Sequence, residues 1–207
     1  MTEHTLRQYD IELEEIRRGV LNMGGLAEAQ VVKAIEGLRS GQLDLLDTVI
    51  EGDKPINLAQ VELDDDCSHI IAKRQPAAGD LRLVLAVIKI ASDLERIGDE
   101  AKKIAKAARR LHSAETPFVP RVGLTQAVEL ALELLRASLD AFARVNPEGI
   151  EDLRRKDAEI DAGFKGVMRQ LITYMMEDPR TISSCLEMLF IAKAIERVGD
   201  HAMNIAE

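Results

Sequence analysis

The chain contains one segment twice, and this repeat constrains the fold more than any other feature. ERIGDEAKKIA covers residues 95–105, and ERVGDHAMNIA covers residues 196–206. The surrounding residues align as well. Three positions of the first half correspond to three of the second: Asp53 to Asp157, Pro76 to Pro179, and Glu95 to Glu196. The spacings between these positions differ by only one to three residues from one half to the other. Such a repeat predicts two copies of one supersecondary unit that bury a shared core.

The apolar residues of the chain follow the period of an α-helix. Between residues 16 and 38 they recur about every 3.6 positions, and no run alternates in the manner of a strand. Ala, Leu, Ile and Glu dominate the composition, which favours packed helices. We predict helices that end near 39–41 and then cover about 43–75, 79–111, 121–145, 148–177 and a last stretch to the chain end.

These helices predict an all-α fold made of two antiparallel three-helix bundles in tandem. The first bundle covers residues 1–112, a linker covers 113–120, and the second bundle covers 121–207. The chain stops inside an apolar helical pattern, so we expect its last helix to be truncated.

The second predicted helix contains a conflict at Pro55. Proline has no backbone N–H and clashes with the preceding helical turn. Either the helix bends between Gly52 and Pro55, or Asp53 caps a new helix at this point. The sequence leaves both alternatives open.

Charge and cysteine content exclude several classes of protein. A net charge of −9 without a basic stripe argues against a nucleic-acid-binding protein. Two cysteines, Cys67 and Cys185, are too few for a disulfide framework and favour a reduced, cytoplasmic setting. No apolar run approaches the roughly 20 residues of a membrane helix, so we expect any membrane association to go through a partner.

The repeated segments carry carboxylates that lie one helical turn apart. Residues four positions apart share one face of a helix. Four pairs of oxygen-bearing side chains have this spacing: Glu95 with Asp99, Glu196 with Asp200, Asp157 with Asp161, and Asp53 with Asn57. Because neighbouring helices of an antiparallel bundle face each other, each repeat is expected to bring three or four of these side chains together.

Clustered carboxylates must be protonated, be paired with Arg or Lys, or bind a cation. Two unit charges about 5 Å apart repel by roughly 3 kcal/mol at an effective dielectric constant near 20. A cluster without His or Cys suits a hard cation, or iron in an all-oxygen site. Gly98 and Gly199 precede the second acid of each segment and predict the close approach of a helix or of metal. Arg96 and Arg197 are expected to bridge to another helix or to face solvent.

Other interpretations of these residues stay open. Acidic residues four apart are also common on solvated helix surfaces. Asp66 and His69 form a single DxxH motif, which loosely resembles the ExxH of di-iron sites, and we interpret both as surface residues. A carboxylate-bridged, metal-dependent enzyme is the alternative function. The sequence has no nucleophile motif and no His in register with the acids, so we predict no catalytic residue and no enzyme.

Two long segments of the chain resemble those of a known family. The segments RQPAAGDLRLVLAVIKIASDLERIGDEAKKIA and VMRQLITYMMEDPRTISSCLEMLFIAKAIERVGDHAMNIAE look like the two signature regions of the PhoU family of phosphate-signalling proteins. The resemblance extends over essentially the whole chain and implies two three-helix repeats.

The resemblance also implies metal clusters bound through E(D)xxxD motifs, with iron, zinc, manganese or magnesium as the candidate metals. Carried over, the ligands are Glu95, Asp99, Asp53 and Asn57 in the first repeat, and Glu196, Asp200, Asp157 and Asp161 in the second. The first repeat departs from the pattern because Asn57 replaces an acid, and because Glu100 and Lys103 replace His201 and Asn204. A lysine near the first site could neutralise its acids, so the second site is expected to be the better one.

The role that the resemblance implies is negative regulation of phosphate uptake and of the phosphate-starvation response. Such a protein is a cytoplasmic adaptor, often a homodimer, that connects the ATPase subunit of the phosphate ABC transporter to a sensor histidine kinase. It reaches the inner membrane only through these partners.

Overall fold

The structure is a computed structural model that describes residues 2–114, 118–144 and 149–207. Within these ranges the chain is helical and has no strand, which confirms the all-α prediction. The first repeat consists of α1 (Thr2–Ser40), α2 (Leu43–Glu51), α3 (Lys54–Arg74) and α4 (Ala78–His112). The second consists of α5 (Thr125–Arg144), α6 (Ile150–Glu177), a 3₁₀ turn (Pro179–Thr181) and α7 (Ile182–Ala206). Part of the predicted linker, 115–117, and of the predicted break near 146–149 lies outside the described residues.

The helix predicted over 43–75 is interrupted, so the first repeat has four helices where three were expected. Pro55 lies in the first turn of α3, where its missing N–H leaves no helical hydrogen bond unmade. Gln30 Nε2 on α1 donates to the carbonyl of Gly52 at 2.7 Å and stabilises the interruption. A new helix start is therefore the right alternative. Asp53 precedes it, but its side chain makes no capping hydrogen bond.

The last helix of each repeat lies at the centre of the molecule. Helix α4 packs against α1, α2 and α3, and α7 packs against α5 and α6. The two central helices also pack against each other, so one hydrophobic core extends through both repeats. This arrangement places α3 beside α4 and α6 beside α7, the two pairs of helices that carry the predicted acidic residues.

The two central helices run antiparallel to each other. Successive contacts along their interface join Asp93 to His201, Glu100 to Arg197, and Arg110 to Glu187, so that residue numbers rise along α4 while they fall along α7. Each repeat thus supplies partners to charged residues of the other.

None of the helices in the described ranges combines the length and the apolar character that crossing a bilayer requires.

Candidate metal centres

The second repeat brings its four predicted acids together between α6 and α7. We call Asp157, Asp161, Glu196 and Asp200 the second-repeat acidic group. Oxygen atoms of Asp161, Glu196 and Asp200 all lie within 4.8 Å of one another. Elsewhere in the described part of the chain, no three His, Cys, Asp or Glu side chains come this close.

Burial and mutual repulsion both act on this group. Burial raises the pKa of the Asp157 carboxyl above its ordinary value, and the charges of Asp161 and Glu196 raise it further. The pKa of Asp200 is raised for the same reasons, first by burial and then by Glu196 and Asp157, although Lys193 opposes the rise. The carboxylates therefore destabilise one another, as expected for a group that a cation would stabilise.

One lysine already contacts the group. The Lys193 ammonium, one turn before Glu196 on α7, forms an ion pair with the Glu196 carboxylate. It also lies 5.4 Å from the centre of the Phe164 ring. Glu196 is buried, and its Oε2 atom has no aligned hydrogen bond. Lys193 is not among the residues predicted from the sequence, although its spacing of three from Glu196 is a usable signal.

The first repeat places its four predicted residues between α3 and α4, but they gather less tightly. We call Asp53, Asn57, Glu95 and Asp99 the first-repeat acidic group. Asp53 is buried, and its Oδ2 atom accepts hydrogen bonds from Lys102 Nζ at 2.7 Å and from Asn57 Nδ2 at 3.4 Å. Its Oδ1 atom is buried without a hydrogen-bond partner. Burial raises the pKa of Glu95, and Asp99 and Asp53 add to the rise.

The lysine that neutralises the first group is a different one from that predicted. Lys102 forms the ion pair with Asp53, whereas Lys103 binds Glu100 at 2.8 Å and contributes to Glu95 only as a nearby charge. Asp53 and Asp157 hold equivalent places, 3.8 Å and 3.7 Å from a Cβ atom at their glycines, so the difference between the repeats lies in the central helix. The second repeat has Met203 at the position that matches Lys102.

The two repeated glycines allow the helices of each repeat to approach closely. A Cβ atom at Gly98 would lie 2.9 Å from Ile56 Cδ1 and 3.8 Å from Asp53 Oδ1. A Cβ atom at Gly199 would lie 3.0 Å from Ile160 Cδ1 and 3.7 Å from Asp157 Oδ1. The predicted close approach of a helix is therefore confirmed in both repeats. It places Asp53 beside Gly98 and Asp157 beside Gly199.

Several charged residues near the two groups bridge the repeats instead. Arg197 crosses from α7 to Glu100 on α4, as predicted for a bridge between helices, whereas Arg96 is exposed. His201 Nδ1 lies 2.9 Å from Asp93 Oδ1, and Asn204 Nδ2 donates to the same oxygen at 3.2 Å. Asp66 and His69 are both exposed, in agreement with their interpretation as surface residues.

The donor atoms of the second-repeat acidic group fit a hard cation. An ion that binds oxygen at about 2.0–2.6 Å can join oxygens up to about 4–5 Å apart, a span that the three close carboxylates match. In the first repeat, the hydrogen bonds of Lys102 and Asn57 compete for Asp53. The second repeat is therefore the stronger candidate centre.

Comparison with known proteins agrees with this architecture. The sequence model of the PhoU domain matches the chain twice, over residues 20–108 and 124–207. The phosphate-specific transport system accessory protein PhoU of Edwardsiella tarda is 45% identical over 208 residues, which cover 100% of this chain and 85% of that protein.

Two crystal structures share the fold. PhoU from Pseudomonas aeruginosa superposes with a TM-score of 0.90 at 40% identity, covering 96% of this chain and 95% of that one. The phosphate transport system regulatory protein PhoU from Streptococcus pneumoniae gives a TM-score of 0.88 at 29% identity, covering 96% of this chain and 93% of that one. These names describe accessory and regulatory proteins rather than enzymes, in agreement with the prediction. The repeated segments, the shared fold and the similarity over the whole chain show that this protein belongs to the PhoU family.

Proposed function

We propose that the chain is a negative regulator of phosphate uptake and of phosphate-starvation signalling. The observation that carries the proposal is the similarity over the whole chain to proteins named as accessory to, or regulatory for, phosphate transport. In this proposal the chain is a cytoplasmic adaptor, acting as a homodimer. It connects the ATPase subunit of a phosphate ABC transporter to a sensor histidine kinase and approaches the inner membrane through them.

The acidic groups supply the second part of the proposal, a bound metal. Asp161, Glu196 and Asp200 would hold the ion, with Asp157 beside them, and the ion would neutralise carboxylates that now raise one another's pKa. Glu95, Asp99, Asp53 and Asn57 would form the weaker site. All-oxygen donors suit magnesium, manganese and iron, and zinc also accepts carboxylates. A metal here would act by fixing α6 against α7.

The adaptor role is tested by a pull-down with purified components. The chain is immobilised and offered the transporter ATPase and the sensor kinase, each with and without phosphate and divalent metal. We expect at least one partner to be retained and its retention to depend on one of these solutes. Failure to retain either partner under all four conditions would contradict the adaptor role.

A deletion strain tests the regulatory role independently of direct binding. In the organism that carries the chain, deletion should switch on a phosphate-starvation reporter while phosphate is plentiful, and the intact gene should restore repression. A reporter that stays off in the deletion strain would contradict negative regulation.

A further inference from the structure

A basic cleft lies between the two central helices, on the surface of an acidic protein. Its volume is about 280 Å³, and α4 and α7 form its two walls. Five basic side chains line it, three from α4 and two from α7, together with a single carboxylate: Lys103, Lys106, Arg110, Lys193, Arg197 and Glu100. The whole chain carries a net charge of −9, so this concentration of cations is opposite to the overall charge.

Carboxylates hold most of these cations in place. Glu100 is 3% exposed and binds Lys103 on its own helix at 2.8 Å and Arg197 across the interface at 3.3 Å. Arg110 pairs with Glu187, and Lys193 pairs with Glu196. Five basic groups thus face three carboxylates that contact them, which leaves the cleft with an excess of positive charge.

Lys106 supplies part of this excess. It is exposed, and it forms no ion pair with any carboxylate in the ranges that the structure describes. A second, neighbouring cleft shares Lys106 and Arg110 and adds Arg109, which pairs with Asp47 of the same cleft at 2.7 Å. Charge of one sign in a concave site raises the local concentration of counter-ions.

The geometry points to a binding site for a small phosphate-bearing anion in the cleft between α4 and α7. Lysine ammonium and arginine guanidinium groups on two facing walls can donate charge-assisted hydrogen bonds to phosphate oxygens from opposite sides. The buried Glu100 would act as a positioning residue that holds Lys103 and Arg197 at the cleft. The site uses none of the metal ligands proposed above, although Lys193 connects it to Glu196, and it does not rest on the regulatory role.

Phe190 distinguishes between two sources of the phosphate. Its ring lines the same cleft and is 60% exposed, so a bound ligand can reach it. Free inorganic phosphate has no apolar surface to place against this ring, whereas the base of a nucleotide stacks on aromatic rings.

Calorimetric titration of the metal-free chain tests the site, with inorganic phosphate and ATP as separate probes. EDTA-treated protein keeps the measurement independent of the acidic groups. The variants are Lys106→Gln and Lys103→Gln/Lys106→Gln. The matched control is Lys33→Gln, which removes an exposed lysine of α1. Since Lys106 is exposed and unpaired in the described ranges, its single variant is expected to fold normally, which circular dichroism would check.

We expect at least one probe to bind, the double variant to weaken its Kd by about tenfold or more, and the control to leave it within about twofold. If both probes bind and Phe190→Ala leaves their Kd values unchanged, the ligand is free phosphate. Binding of ATP alone, weakened by Phe190→Ala, indicates a nucleotide. The proposal is overturned if neither probe binds at concentrations up to about 5 mM, or if a probe binds both lysine variants as it binds the wild type.

Discussion

In the part of the chain that the structure describes, one lysine contacts each acidic group, and it comes from a different position in each repeat. Lys102 follows Asp99 on α4 and reaches Asp53, while Lys193 precedes Glu196 on α7 and pairs with it. Each ion pair offsets part of the repulsion among the carboxylates. The pKa values of Glu95, Asp157 and Asp200 are still raised, first by burial and then by the neighbouring carboxylates.

The raised pKa of Asp200 predicts a stabilising substitution. A carboxyl whose folded-state pKa is raised binds its proton more tightly in the folded chain, so its contribution to stability falls as pH rises through the interval between the ordinary and the raised pKa. In metal-free protein, Asp200→Asn should therefore raise the unfolding temperature at pH 7. The gain should shrink towards about pH 3, below the ordinary Asp pKa of about 3.9, where both states hold the proton. Thermal unfolding in EDTA at both pH values measures it.

The control for this experiment is Asp66→Asn, an equivalent change at an exposed position of α3. It should shift the unfolding temperature little at either pH. If Asp200→Asn were destabilising at pH 7 in EDTA, or matched the control, the proposed repulsion would be wrong. With excess divalent metal the sign should reverse, since the substitution then removes a ligand.

At the residue scale, the sequence identifies the acids but not their partners. Because Glu196 and Asp200 are four residues apart, they lie on one face of their helix whatever that helix packs against. The pairing of Lys102 with Asp53 depends on how α3 packs against α4. Likewise, His201 faces Asp93 of the other repeat, a contact that no spacing within one helix encodes.

At the scale of helices, the two acidic groups have the same design and differ at two positions. Both are built from a long central helix and the helix before it, which approach each other at a glycine. The first group has Asn57 where the second has Asp161, and Lys102 where the second has Met203. Each group has one lysine that competes for a carboxylate, so the missing acid at Asn57 is what should lower the affinity of the first group for a cation.

Exchanging these two residues should strengthen the first group. The double variant Lys102→Met/Asn57→Asp gives it the side chains of the second repeat, removes the ion pair with Asp53 and adds a carboxylate. We expect its affinity for a divalent metal to rise by about tenfold or more, since each change favours the cation by charge. Titration calorimetry with Mn²⁺ in an Asp200→Asn background isolates the first group. An unchanged affinity would contradict the assignment of position 57 as a metal ligand and of Lys102 as a competitor of the metal.

The close approach at Gly199 predicts a packing defect on substitution. Gly199→Val would force side-chain atoms into Ile160 and cost about 1–3 kcal/mol of stability. Gly25→Val is the matched control, because a Cβ atom there meets no atom within 4 Å. Urea denaturation should show a large loss of unfolding free energy only at Gly199. Equal effects would mean that the glycine is not required for close packing.

At the scale of the whole molecule, the two repeats form one body because their central helices share an interface. The internal repeat is sufficient to predict the tandem all-α fold, since each copy needs a partner to bury its apolar face. It does not predict that α4 and α7 are antiparallel or that Glu100 pairs with Arg197. Those features depend on surfaces that differ between the copies. For example, the position that Glu100 holds in the first copy is held by His201 in the second.

Loss of an interface contact should therefore destabilise both repeats together. Asp93 accepts from Asn204 and contacts His201, and Asp93→Ala should cost about 0.5–1.5 kcal/mol because it removes the partner of the partly buried His201, while the exposed Asn204 can bind water instead. Urea unfolding followed by circular dichroism should shift as a single transition. Two separate transitions, with only one of them shifted, would show that the repeats unfold independently.

Metal content tests the central claim most directly. The chain, purified without a metal-affinity column, is analysed by elemental mass spectrometry beside Glu196→Gln/Asp200→Asn and Glu95→Gln/Asp99→Asn. We predict stoichiometric metal in the wild type, a large loss in the second-repeat variant and a smaller loss in the first-repeat variant, with all three proteins folded. Absence of metal from the folded wild type after incubation with Mn²⁺, Zn²⁺, Fe²⁺ and Mg²⁺, or equal retention in all three proteins, would contradict the claim that the repeated acids bind ions.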